Sequence, residues 1–200
     1  MTATVLSRIH YHHGDLRAVM VGTAIRMLAE PDREALSVRE VARRSGVSSG
    51  APFHHFPTRR ALMTAVAEAA TRQLRQVVED ASAAIPEAKA SRRLRAVTRA
   101  WLRWVVANPA QFKVMSETGA IDHSDALERD NAAMWALLRD TLRAAMRDKV
   151  SLGLDQAMLE LRAMSYGLAR MFVDGQLTQT ALMEAAMDDV LARLTGRKSA

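Results

Sequence analysis

The chain has 200 residues, a formal net charge of +6 and no cysteine, and this length can bury a core as one domain or two. Without cysteine, disulfides, thiolate metal sites and cysteine nucleophiles are all excluded. The first twenty residues lack a long apolar stretch, and no run of about 18 apolar residues occurs anywhere, so neither a signal peptide nor a membrane span is expected. We expect a soluble, cytoplasmic protein.

The basic charge is concentrated near the N-terminus. Residues 1–62 carry nine Lys or Arg against five Asp or Glu, whereas the remaining residues carry 19 against 17. A basic segment of this kind favours an anionic partner such as nucleic acid. The same segment holds most of the histidines, namely His10, His12, His13, His54 and His55. A metal site is not predicted from them, because no cysteine accompanies them and carboxylates nearby are sparse.

Apolar residues recur with the spacing of buried helix faces, and no stretch shows the sustained alternation of a strand. The fold is therefore predicted to be all-α, with about nine helices. Helix 1 is predicted over about 14–30 and is broken by Pro31. Ser37 and Glu40 have the form of a capping box, in which each side chain satisfies the other's backbone amide, so helix 2 starts there. Gly46 supplies the left-handed cap that ends it.

Two more helices are predicted after this glycine turn. With Ser49 as the N-cap of helix 3, Pro52 falls in the first turn, where its missing N–H costs no hydrogen bond. Pro57 ends helix 3, and Thr58 can cap a long helix 4 that continues to about residue 84. The C-terminal region is predicted to hold five further helices. Three lie at about 91–107, 109–116 and 125–149. The fourth is predicted to start from an N-cap at Asp155, and the fifth is defined by an apolar stripe that ends at Leu194.

The segment from Ser37 to Leu62 contains two short helices separated by a glycine turn. This is the spacing with which a helix-turn-helix lays its second helix in the major groove of DNA. The second helix is flanked by side chains suited to phosphate, which are Arg39, Arg43, Arg44, Arg59 and Arg60. The alternative interpretation of these arginines is an ordinary solvated helix face.

Two stretches resemble the N-terminal domain of the TetR family of bacterial transcription regulators. They are YHHGDLR at 11–17 and LSVREVARRSGVSSGAPFHHFPTRRAL at 36–62. Phe53 stands where the family commonly has a phosphate-binding Tyr, and Arg59-Arg60 replaces the usual Lys-Glu pair. The resemblance implies a dimeric repressor that binds a palindromic operator and is released by a small molecule. Two alternatives stay open: a constitutive DNA-binding protein without an effector, and an activator.

The resemblance also implies which residues contact DNA. Those expected to hold the phosphate backbone are Ser37, Arg39, His55, Thr58 and Arg59. Those expected to face bases are Ser48, Ser49, Ala51 and His54. Phe53 and Arg43 complete the expected interface. The residue chemistry alone leaves open whether Arg39 or Arg43 supplies the paired hydrogen bonds with which arginine binds guanine.

Aromatic and methionine side chains are dense in helices 5 to 7, and such residues can line an apolar ligand cavity. The predicted lining residues are Trp101, Trp104, Phe112, Met115, Met134 and Trp135. The same residue types also build ordinary helical cores, so both interpretations stay open. The expected ligand is a small apolar or amphipathic molecule.

The segment LRAMSYGLARMFVDGQL at 161–177 resembles a C-terminal motif of one TetR subgroup, in which a Trp and a His-Gly pair recur. Gly167 and the apolar spacing match, whereas Arg162 and Tyr166 stand where the subgroup has Trp and His. The ligand class is therefore left open. Helices 8 and 9 are predicted to form a homodimer interface, since Gly167, Ala186 and the Met and Leu stripes suit close antiparallel packing in a four-helix arrangement. Leu168 is expected to lie in this interface.

The sequence predicts two domains and no enzymatic activity. Residues 12–62 form a three-helix helix-turn-helix domain, and residues 85–196 form a helical domain for effector binding and dimerisation. Glycine-rich phosphate loops, the G-x-S-x-G elbow and the H-E-x-x-H pair are all missing from the sequence. We expect neither a cofactor nor catalysis.

Overall fold

The computed structural model describes residues 13–30, 36–47, 51–117, 119, 121–146 and 153–196. Within these ranges the chain forms nine α-helices, one 3-10 helix and no β-strand, which confirms the predicted all-α class. The α-helices are α1 (His13–Leu28), α2 (Val38–Arg44), α3 (Ala51–His55), α4 (Arg59–Ala83), α5 (Ala90–Ala107), α6 (Pro109–Ser116), α7 (Asp125–Ala145), α8 (Leu154–Val173) and α9 (Thr180–Leu194).

The chain divides into two compact units, residues 1–66 and residues 67–200. Helix α4 is continuous across this boundary, with its first turns in one unit and the remainder in the other. In the first unit, α1, α2 and α3 contact one another. Its buried apolar side chains include Met20, Ala24, Val41, Phe56 and Leu62. Burial of each of the larger side chains among them stabilises the fold by about 1.5–3 kcal/mol.

The second unit is organised around α5, which contacts α6, α7, α8 and α9. One apolar core joins Leu102 of α5 to Leu161 of α8 and Met187 of α9. A second core joins Trp104 to Leu74 of α4 and Met134 of α7. Within the described residues, no helix combines the length and apolar content of a membrane span.

Two predicted helix ends in this unit were wrong. Helix α7 ends at Ala145 and not near residue 149, because the backbone of Met146 turns to the extended region at ψ 140°. Helix α8 is capped by Gly153, and Asp155 lies inside its first turn, where its carboxylate is 2.7 Å from Arg139 Nη2. A 3-10 helix at Glu87–Lys89, which the sequence analysis did not predict, precedes α5.

A ladder of ion pairs joins α5 to α9. Arg103 Nε donates to Glu184 Oε1 at 2.8 Å, and Arg99 Nη2 donates to Asp188 Oδ2 at 2.6 Å. The hydrogen bond from Arg103, with the nearby charge of Arg99, lowers the pKa of Glu184. A carboxyl whose pKa is lower in the folded chain than in the unfolded one stabilises the fold above its unfolded pKa, and this stabilisation is lost as the pH falls through the folded pKa.

Glu184→Gln is therefore expected to lower the free energy of unfolding at pH 7 by about 0.2–1 kcal/mol. The difference from the wild type is expected to shrink as the pH falls below about 4.3, the ordinary pKa of glutamate. Denaturant unfolding at pH 7 and at lower pH measures it. Glu87→Gln is the control, since Glu87 is almost fully exposed beside Arg93. If the free energy of unfolding of Glu184→Gln stays as far below that of the wild type at low pH as at pH 7, the ion pair of Glu184 with Arg103 is not the source of the difference.

Candidate DNA interface and ligand cavity

Ser37, which has an extended backbone, is the N-cap of helix α2. Ser37 Oγ accepts a hydrogen bond from the Glu40 amide at 3.2 Å, as predicted. The Glu40 carboxylate does not complete the predicted capping box. It accepts instead from Arg43 at 2.7 and 2.8 Å and from Arg44 at 2.9 Å, because charge-assisted bonds to two guanidinium groups are stronger than a bond to one amide.

These ion pairs define the charge on the exposed side of α2. The hydrogen bond from Arg43, followed by that from Arg44, lowers the pKa of Glu40 to about 2. Arg44 also binds both carboxylate oxygens of Glu30 at 2.6 Å. Arg43, predicted to contact DNA, is therefore paired with Glu40 in the absence of DNA, whereas Arg39 is exposed. To bind a base, Arg43 must exchange Glu40 for that base.

The turn after α2 has the geometry expected of a glycine cap. Gly46 adopts φ 69°, a left-handed conformation in which side chains with a Cβ are strained. The amide of Val47 donates to the Ala42 carbonyl at 3.1 Å, and the amide of Gly46 donates to the Arg43 carbonyl at 3.2 Å. These bonds form a Schellman motif and redirect the chain toward α3. The predicted turn is confirmed.

Helix α3 has one buried and one exposed side. Pro52 is buried, as is Phe56 directly after the helix, whereas Phe53, at 44% exposure, and His54 face solvent, and His55 is half-buried. The predicted contact residues Ser48 and Ser49 lie outside the described residues, as does the side chain of Ala51. The exposed side of α3 is thus available to a DNA groove.

Two predicted phosphate-binding residues open α4. Thr58 Oγ1 accepts a hydrogen bond from the Ala61 amide at 3.0 Å, so the predicted N-cap is confirmed. Arg59 Nε donates to the Leu36 carbonyl at 2.9 Å. Sequence reasoning missed this bond, which joins the start of α4 to the residue before the α2 cap. It uses one of the five N–H donors of a guanidinium.

The second unit contains a cavity of about 480 Å³ lined by α4, α5, α6, α7 and α8. Small-molecule sites typically measure about 300–1,000 Å³. Five of the six predicted lining residues lie on it, namely Trp101, Phe112, Met115, Met134 and Trp135. The rings of Trp101 and Phe112 meet edge to face at 5.7 Å.

Trp104, the sixth predicted lining residue, does not line this cavity. It is 5% exposed and packs in the core with Leu74 and Met134, and its indole N–H has no hydrogen-bond partner within the described part of the chain. Trp101 and Trp104 are three residues apart on α5 and therefore belong to the same apolar stripe of the helix. A Trp104→Ala variant therefore tests folding, with an expected loss of about 3–5 kcal/mol, and is unsuited to testing ligand binding.

Comparison with known proteins places this arrangement in a family. A model of the tetracyclin repressor-like C-terminal domain matches residues 94–195, and a model of bacterial regulatory proteins of the tetR family matches residues 21–66. The first of these matches alone spans half of the chain. This chain belongs to the TetR family of transcriptional regulators. The resemblance predicted from the sequence is confirmed.

Relatives of this TetR-family chain include regulators. The HTH-type transcriptional regulator BetI of Escherichia coli O127:H6 is 27% identical over 177 residues, 88% of this chain and 87% of BetI. A protein of unknown function from Rhodococcus sp. RHA1 is 26% identical, with a TM-score of 0.73 over 92% of this chain and 97% of the other. A tetR-family regulatory protein from Rhodococcus RHA1 shares the fold, at 18% identity and a TM-score of 0.71 over 92% and 98% of the chains.

The cavity of this TetR-family chain also includes residues that sequence reasoning did not assign to it. Arg162 and Tyr166 line it together with Asn131 and Ser165. Arg162 and Tyr166 are the two positions at which the chain departs from the Trp and His of the subgroup motif. That departure was the available signal, but periodicity alone could not show which side of α8 faces a cavity.

The predicted dimer helices expose different residues from those expected. Leu168, predicted at the interface, is 9% exposed and belongs to the core of its own chain. The exposed large apolar side chains of α8 and α9 are Leu159, Tyr166, Met171 and Leu182. Gly167 faces open space, since a Cβ added there would meet nothing within 4 Å. A glycine inside a helix costs about 0.5–1 kcal/mol relative to alanine, and packing against the described residues gives no reason for it.

Among the described residues, no three His, Asp or Glu side chains are grouped as a metal site requires. His10 and His12 and the side chain of His13 lie outside the described residues. The expectations that the chain binds no metal and is no enzyme remain predictions.

Proposed function

We propose that this TetR-family chain is a cytoplasmic, homodimeric repressor that binds a palindromic operator through α3 and is released by a small molecule bound in the 480 Å³ cavity. The observation that carries the proposal is this cavity in the unit beyond the helix-turn-helix. A collapsed C-terminal core would favour a constitutive DNA-binding protein. An open cavity with an aromatic wall favours an effector.

Operator binding is tested by selecting DNA from a random-sequence pool with the purified protein near physiological salt. We expect an inverted repeat to be enriched, because a two-fold dimer presents two α3 helices to successive major grooves about 34–36 Å apart. Effector-dependent release of the selected DNA then separates a ligand-controlled regulator from a constitutive one. Failure to enrich any sequence would contradict operator binding.

The proposed dimer places a second copy against the exposed apolar residues of α8 and α9. These helices expose Met171 and Leu182, and Gly167 leaves room for a close approach. Without a second copy, these large apolar side chains would remain in contact with water. Association of α8 and α9 with their counterparts would bury them in a four-helix arrangement.

The double variant Met171→Glu and Leu182→Glu is expected to be monomeric at micromolar concentration, because burying two unpaired carboxylates costs several kcal/mol each. Sedimentation equilibrium measures the mass. Ala83→Glu with Ala107→Glu is the control, since both alanines are exposed on other helices. A variant that stays dimeric would refute this interface. Leu168→Glu cannot replace this double variant as a test of the dimer, because Leu168 belongs to the core of its own chain and its substitution would disturb folding.

Helix α4 is the proposed connection between ligand and DNA. Ser124, the N-cap of α7, donates through Oγ to Glu68 Oε1 of α4 at 2.7 Å, and Asp130 Oδ1 of α7 lies 3.1 Å from Arg75 Nε of α4. Leu74, the residue before Arg75, also lines the cavity. We propose that a ligand shifts α7, that α7 moves α4 through these polar contacts, and that the start of α4 then releases phosphate.

A further inference from the structure

The cavity wall includes one charged side chain among the described residues that line it, and that side chain is Arg162 of α8. The other lining residues are apolar or neutral, and the polar ones include Asn131, Ser165 and Tyr166. No carboxylate lies on the wall as described. The described wall is therefore mostly apolar, with a single cation among its lining side chains.

Arg162 differs from the arginines close to it in sequence and space. Arg170 holds Asp174 at 3.1 Å on the same helix, and Arg139 of the adjoining pocket holds Asp155 at 2.7 Å. Arg162 has no carboxylate within ion-pairing distance in the described part of the chain. Its guanidinium carbon lies 4.2 Å from the centroid of the Trp135 ring.

This stacking suits a guanidinium that receives an anion. Cation–π contact occupies the flat face of the group and leaves the N–H donors at its edge to point sideways. Those donors match the two oxygens of a carboxylate, with which arginine forms paired, charge-assisted hydrogen bonds. The stack also holds Arg162 in place before a ligand arrives, which reduces the entropy lost on binding.

We propose that the cavity selects an amphipathic anion, with an acidic head group at Arg162 and an apolar body between Trp101, Phe112 and Met134. This inference rests on the proposed function, since it takes the cavity to be the effector site. A cationic head group would meet Arg162 with no acid on the described wall to offset the repulsion. A neutral head group would forgo the charge-assisted bonds.

Three probes whose unbranched apolar chains are of nearly equal length test this selectivity: decanoate, decanol and decyltrimethylammonium. Titration calorimetry with the full chain, without DNA, is expected to show decanoate binding roughly 10- to 100-fold more tightly than decanol, as expected for hydrogen bonds to a charged group. Decyltrimethylammonium is expected to bind most weakly. Arg162→Gln should remove the advantage of decanoate over decanol, and Arg162→Lys should retain part of it. Arg143→Gln is the control, because Arg143 is paired with Asp140 away from the cavity.

The outcomes separate this inference from the proposed function. If decanoate has no advantage over decanol, or keeps its advantage in Arg162→Gln, anion selection by Arg162 is refuted, and release of DNA by decanol would leave the repressor proposal standing. If decanoate binds in an Arg162-dependent way while operator affinity stays constant, the inference holds and the repressor proposal fails. Equal thermal unfolding of the variants and the wild type ensures that the comparison concerns binding.

Discussion

Replacing His55 and Arg59 together by alanine is expected to lower operator affinity by about 100-fold or more, because each is proposed to donate to phosphate and a hydrogen bond to a charged group contributes about 1.5–3 kcal/mol. Arg59 lies at the start of α4, and His55 is the last residue of α3. Titration of labelled operator by fluorescence anisotropy measures the loss. The matched control is His123→Ala with Arg143→Ala, which removes the same residue types from exposed sites in the second unit.

The single variants separate the two roles of Arg59. Arg59→Ala is expected to reduce the slope of log affinity against log salt by about one unit, because one phosphate contact is lost. Arg59→Lys retains the charge but loses the planar donor that binds the Leu36 carbonyl. An unchanged slope with lower affinity in Arg59→Lys would identify that bond as positioning the interface. If the His55 and Arg59 double variant binds as tightly as its control, the proposed docking face is wrong.

Asp130→Asn is expected to reduce the coupling free energy between ligand binding and operator binding. The operator affinity without ligand and the ligand affinity without DNA are expected to stay unchanged. In the proposed mechanism, Asp130 transmits movement of α7 to Arg75 of α4, which lies 3.1 Å away. Residues along such a connection change coupling by about 0.5–2 kcal/mol, or roughly 2- to 30-fold. We expect the ratio of operator affinities without and with saturating ligand to fall by that factor.

Glu79 provides the matched control for this variant. It also pairs with Arg75, at 3.1 Å, but both residues belong to α4, so the pair cannot transmit movement from another helix. Glu79→Gln is therefore expected to keep the full ratio. The tightest-binding of the three decyl probes serves as ligand. Loss of coupling in Glu79→Gln and not in Asp130→Asn would contradict transmission through this ion pair.

The helix-turn-helix was the part of the fold most readily predicted, because local chemistry defines it. Ser37 and Thr58 are N-caps, and only glycine tolerates the left-handed backbone at Gly46 without strain. The capping box failed at Glu40 for a reason that motif spacing does not contain. Arg43 and Arg44 lie three and four residues further along the same helix and take the carboxylate.

The ligand cavity was predicted only in part, since apolar periodicity identifies a buried stripe but not the space beside it. Trp101 and Trp104 fit one stripe equally well, and only tertiary packing sends the first to the cavity and the second to the core. The same limit explains Leu168, which fits the apolar stripe of α8 but packs within its own chain. Arg162 was overlooked as a cavity residue because it is an exposed, charged residue on an amphipathic helix, where such residues normally face solvent only.

The most direct test of the repressor proposal is to measure operator affinity during a titration with the tightest-binding of the three probes. The fluorescence of Trp101 and Trp135, which line the cavity, reports how much of the cavity the probe occupies. Operator affinity is expected to fall as the fluorescence change saturates; a 100-fold loss corresponds to a coupling free energy of roughly 2.7 kcal/mol. Operator DNA is expected to weaken ligand binding by the same factor, since coupling is reciprocal. Saturating fluorescence with an operator affinity that stays constant at every probe concentration would contradict the account and favour a constitutive DNA-binding protein.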